Sequence, residues 1–101
     1  MATTTKALFR GAATTTVGTT LYTVPSATTT VVTNIAVTNT GSSAYTFTLG
    51  LAGTSLHTTT AIAANTTVYI DCKQVLATTN TITGGASNVA VNFHISGVEI
   101  S

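Results

Sequence analysis

Asp71-Cys72-Lys73 is the one place in this chain where a nucleophile stands between an acid and a base. A neighbouring cation favours the thiolate, the reactive form of cysteine, so the triplet has the makings of an activated thiol. Cys72 also continues the stripe Val68, Ile70, which makes it a small hydrophobe on the buried side of a strand. The second reading needs nothing beyond the strand itself and is the one adopted. His57 and His94 could join Cys72 in a metal triad, yet no two of the three have the close spacing, two to four residues apart, that metal ligands favour. Asp71 and Glu99 are the only carboxylate side chains, and a glycosidase would need both, with aromatic residues to orient a sugar; Trp is absent. There is no Gly-x-Ser-x-Gly elbow, and Gly84-Gly85 is too short for a phosphate loop and is not followed by Lys-Ser or Lys-Thr. The expectation is a protein without catalytic residues, cofactor or metal.

The cations are Lys6, Arg10 and Lys73, and the net charge is +1. A nucleic-acid surface needs a clustered basic face, and an anionic membrane asks for the same, so neither partner is expected. No run approaches the eighteen apolar residues that read as a spanning helix, and residues 2–5 are small and polar, unlike a signal peptide. Assembly in a cytoplasm is the expectation, and Asn65-Thr66-Thr67 is read as a chance sequon.

Any chemistry would have to be positioned by strands. Threonine makes up about a quarter of the 101 residues, whereas charged residues make up 5%. Thr is β-branched and suits a pleated surface. Used in place of Lys and Glu, it gives an almost neutral exterior that does little to keep a free monomer in solution, so the surface is expected to dock onto something larger. Alternation of period two recurs along the chain. Val31, Thr33, Ile35 and Val37 share one face against Val32, Asn34, Ala36 and Thr38. Tyr45, Phe47, Leu49 and Leu51 alternate with Thr46, Thr48 and Gly50; Val68, Ile70 and Cys72 oppose Thr67, Tyr69 and Asp71; Val89, Val91, Phe93 and Ile95 form the last stripe. Asn39-Thr40-Gly41-Ser42-Ser43 reads as a hairpin loop with Gly41 free to take positive φ, Gly84-Gly85-Ala86-Ser87-Asn88 as the turn before the last strand, and Pro25 as a strand end. Val98 and Ile100 fall out of step with Ile95, which predicts a bulge at Gly97. Residues 72–76 suit one helical turn or a short strand, and no longer helix is supported. The fold class is therefore all-β: an antiparallel two-layer sandwich, jelly-roll or Ig-like, of about seven or eight strands.

Residues 1–10 stand apart as an N-terminal arm or edge strand, with residues 11–101 as a single sandwich domain. Lys6, Leu8, Phe9 and Arg10 combine two cations with two large apolar side chains and are the candidate partner interface. An arm of that kind could be removed without unfolding the sandwich.

Several stretches resemble small virion structural proteins of tailed bacteriophages: Leu21-Tyr22-Thr23-Val24-Pro25, Thr30-Val31-Val32-Thr33-Asn34-Ile35 with Asn39-Thr40-Gly41, residues 68–76, and Asn92-Phe93-His94-Ile95-Ser96-Gly97-Val98-Glu99-Ile100. Residues 77–82 depart from the group, where a Gly-Asp turn would be expected. The resemblance implies a β-sandwich on the phage particle, either a head decoration (cement) protein clamping major capsid subunits or a tail, neck or baseplate accessory. It also implies copies of itself as partners, with a trimer as the first expectation. Outside that group, a host-glycan-binding module would use Tyr22, Tyr45 or Tyr69 as a platform.

Overall fold

The computed structural model describes residues 3–16, 18–71 and 73–101, so Cys72 and the expectation attached to it lie outside the described residues. Among these residues there are nine strands and no helix: β1 (Thr3–Ala12), β2 (Thr20–Thr23), β3 (Thr29–Asn39), β4 (Tyr45–Leu51), β5 (Thr54–Ile62), β6 (Thr66–Ile70), β7 (Gln74–Leu76), β8 (Thr81–Ala86) and β9 (Val91–Ile100). The first sheet has the order β1-β9-β3-β6, with β7 also paired to β3; the second has the order β2-β8-β4-β5. β6 lies beside residues 35–39 of β3 and β7 beside residues 30–32, so the two short strands together fill one position. Nine strands thus occupy eight places, and the orders 1-8-3-6 and 2-7-4-5 of those places are those of a jelly roll. This settles the sandwich as a jelly roll rather than an Ig-like fold.

The chain crosses between sheets at most connections because each strand has one apolar face to bury. Val24, Val32, Ile35, Val37, Phe47, Leu49, Ile62, Leu76, Ile82, Val91, Phe93 and Ile95 fill the space between the sheets. At its centre Phe47 and Phe93 meet edge to face, with ring centroids 6.4 Å apart. The link between β3 and β4 is one of the crossings, not the expected hairpin, since the two strands belong to different sheets. Gly41 there is not at positive φ. Space is what it supplies: a Cβ would lie 2.8 Å from the ring of Tyr45. The buried Asn39 fixes this corner. Its side-chain nitrogen donates to the carbonyl oxygens of Ser43 (2.8 Å) and Ile62 (3.2 Å), and its oxygen accepts from the Gly41 N–H (2.9 Å). Asn39→Ala is expected to lose roughly 2–4 kcal/mol, measured by urea unfolding, because it strands backbone groups of the β3–β4 connection and of β5.

The one hairpin within the second sheet joins β4 to β5 through Ala52-Gly53, both at positive φ (52° and 79°), as a type I′ turn requires. Gly84–Ala86 belong to β8, not to a turn. A Cβ on Gly84 would stand 2.8 Å from the Leu49 side chain and 3.1 Å from the Thr48 carbonyl, so the glycine allows β8 to lie close against β4. The turn before β9 therefore comes later, and Val89, expected in the last apolar stripe, is exposed within it.

Candidate functional site

The expected bulge at Gly97 is present in altered form, with the extra residues on both neighbours of β9. β1 slips between Ala7 and Phe9, leaving Leu8 over, and β3 slips between Val32 and Asn34, leaving Thr33 over. The two bulges flank Ser96-Gly97 from either side. Gly97 permits this because a Cβ would lie 2.5 Å from the Val31 carbonyl oxygen and 2.8 Å from Leu8 Cδ1. The bulge also corrects the face assignment of β3. Before Thr33 the buried residues are Thr30 and Val32; after it they are Ile35, Val37 and Asn39. Val31 consequently points outward, although Ile35 and Val37 point in as expected.

Directly paired residues on neighbouring strands share a face, and the outer face of the first sheet can be read as rows. One row runs Val75, Val31, Val98, Thr5 and another runs Tyr69, Ala36, His94, Arg10 across the same strand positions. Tyr69 and Val75 are 72% and 66% exposed, so this face leaves large apolar side chains in water. Ile100, paired with both Thr29 and Thr3, extends it. Between the two rows an open depression of about 550 Å³ is lined by Thr5, Ala7, Arg10, Thr33, Ser96 and Val98, among others.

The four expected interface residues separate on this frame. Thr3–Ala12 is the edge strand of the chain's own first sheet. Leu8 belongs to the core, so its side chain is not a free contact, and Phe9 packs against the core beside it. Both are drawn inward by the bulge. Arg10 stands on the outer face, and Lys6 reaches Glu99 at 3.4 Å. Sequence reading missed Val31, Val75 and Val98 as surface residues; the out-of-phase Val98 and Ile100 were the available signal.

Glu99 points inward at one end of the sandwich, where it accepts a hydrogen bond from the Tyr22 hydroxyl, which also lies 2.9 Å from Thr30 Oγ1. Burial, with the hydrogen bond and charge of Glu99, raises the Tyr22 pKa above its ordinary 10.0, against a smaller opposing effect of Thr30. A phenol that holds its proton more tightly in the fold contributes stability that is complete below pH 10 and is lost as the pH rises past it. Unfolding free energy should therefore fall above pH 10, and Tyr22→Phe should flatten that slope while costing roughly 1–3 kcal/mol at pH 7.

His57 lies on β5, 3.3 Å from Thr60 Oγ1 and 5.5 Å from the Phe47 ring, whereas His94 is on the outer face of the other sheet. Asp71 and Glu99 are each engaged with a cation of their own, Lys73 and Lys6. Among the described residues no three His, Cys, Asp or Glu side chains come together as a metal site. Of the three tyrosines considered as a glycan platform, Tyr22 is buried and Tyr45 packs against the core; Tyr69 alone is exposed.

Every sheet edge among the described residues is interrupted. β1 carries the Leu8 bulge, β2 has four residues and a register shift, β5 has two shifts, and β6 and β7 are short and separate. Bulged and short edges resist pairing with another chain. The exposed Tyr69 and Val75 lie on strands of the first sheet.

Comparison with protein-family models, with curated proteins and with solved structures finds no match to this chain.

Proposed function

We propose that this chain is a non-enzymatic structural protein of a phage virion, a capsid decoration protein that binds and stabilises major capsid subunits. The observation that carries the reading is the outer face of the first sheet, where Tyr69 and Val75 stand exposed beside Val31 and Val98 on a nearly uncharged jelly roll. An apolar face of that kind is a contact surface awaiting a partner. Jelly rolls are common in viral capsid and lectin domains, which supports the reading by analogy of fold and leaves the function to the surface. Contact through a face, with the edges blunted, replaces the addition of a strand from an N-terminal arm.

The test is copy number in purified particles, by quantitative mass spectrometry against the major capsid protein, together with the heat resistance of particles lacking the chain. The reading predicts copies in a fixed ratio to the capsid subunits and shells that open at lower temperature without them. A few copies per particle would favour the tail or neck, and none would overturn the virion assignment.

A further inference from the structure

We propose that two copies of the chain pack through the outer faces of their first sheets, about a two-fold axis running parallel to the strands between β3 and β9. This deepens the reading above by naming a second copy, not a capsid subunit, as the neighbour that covers that face, and rests on it only in treating the face as a contact surface. The argument comes from the register. A two-fold axis in that place lays each cross-strand row over the same row of the second copy in reverse order. Tyr69-Ala36-His94-Arg10 then meets Arg10-His94-Ala36-Tyr69, so that the tyrosine ring lies under a guanidinium and the small Ala36 lies under the imidazole of His94. A second row, Val75-Val31-Val98-Thr5, separated from the first by the row Asn34-Ser96-Ala7, follows the same axis and sets Val31 on Val98 at the centre and Val75 on Thr5 at each end.

One symmetry operation thus acts on both rows, with a cation against an aromatic face at the ends of one, valine on valine at the centre of the other, and a larger group against a smaller one at the remaining positions. Charge agrees with it. Arg10 forms no ion pair among the described residues. Within one copy Arg10 and Tyr69 are separated by three strand spacings, about 14 Å, so neither can satisfy the other. Across the axis both are paired at once. Four strand positions by about eight residues give a footprint of roughly 500 Å² per copy, or about 1,000 Å² in all, at the lower limit of specific interfaces. The dimer is accordingly a weak one. It turns both second sheets outward.

Sedimentation equilibrium of the full chain from about 1 µM to 1 mM tests this, with Tyr69→Arg and the pair Tyr69→Arg/Arg10→Asp measured beside it. Both side chains lie on the outer face away from the core, and unchanged melting temperatures show that the variants fold. The wild type should pass from monomer to dimer over this range. Tyr69→Arg sets two guanidinium groups against each other at both ends and should raise Kd at least 30-fold. The double variant sets an aspartate against an arginine there and should return Kd to within about threefold of wild type. A wild type that stays monomeric to 1 mM, a trimer, a dimer indifferent to Tyr69→Arg, or a double variant without rescue would each overturn the packing. None of these results bears on the copy number in particles, so the dimer and the virion reading fail separately.

Discussion

Removal of residues 1–10 is expected to unfold the domain, not to release a free-standing sandwich. β1 is paired with β9 from Thr3↔Ile100 to Ala12↔Asn92, and Leu8 is part of the core with Phe9 packed against it. Deleting the segment removes most of that ladder, exposes β9 as a new ten-residue edge and takes both apolar side chains out of the interior. Loss of one buried leucine alone is worth about 2–5 kcal/mol. Together with the second apolar residue and the ladder, the loss reaches the whole stability of a small domain, about 5–15 kcal/mol. Circular dichroism and a thermal scan check it. No cooperative transition, or aggregation through the bare edge of β9, is the expected outcome; a cooperative transition near that of the full chain would mean that β1 contributes little.

Gly97→Ala is expected to be strongly destabilising. The new Cβ would lie 2.5 Å from the Val31 carbonyl oxygen, which belongs to the backbone of the central strand and cannot swing aside as a side chain can. Leu8 Cδ1, at 2.8 Å, can yield only into an already filled core. Relief requires β3 or β9 to shift at the point where both neighbouring strands are bulged. Overpacking of this kind costs about 3 kcal/mol, which lowers Tm by roughly 12–24 °C in a domain of this size. Gly18→Ala is the control, because no neighbouring atom lies within 4 Å of the added Cβ, and it should change stability by no more than about 0.5 kcal/mol. Equal effects of the two substitutions would contradict the double-bulge account.

The sequence announces sheets more clearly than it announces which strands pair. Alternation within Tyr45–Leu51 and from Val91 to Ile95 is local, and it placed Phe47, Leu49, Phe93 and Ile95 correctly in the core. Pairing is not local: the jelly-roll order joins β1 to β9 across almost the whole chain, and no pattern within one strand encodes that partner. Bulges add a second obstacle. Thr33 looks like any other residue of an alternating run, yet being left over in β3 it turns Val31 outward and Val32 inward. β5 lacks a readable stripe because it is an edge with polar residues on both faces and Thr59 at positive φ (46°). The exposed apolar face was hidden for the same reason. Its members Val31, Ala36, Tyr69, Val75 and Val98 come from four strands and become one surface only through the register. Arg10, chosen from composition, does stand on that face, whereas Leu8 was misplaced because a bulge cannot be seen from one strand.

Cryo-electron microscopy of intact particles carrying this chain tests the central claim most directly. The account predicts density for the jelly roll repeated over the head, with the outer face of the first sheet, around Tyr69, Val75 and Val98, covered by a neighbour. Particles in which this density is absent from head and tail alike, or in which that face is open to solvent while another surface makes every contact, would contradict it.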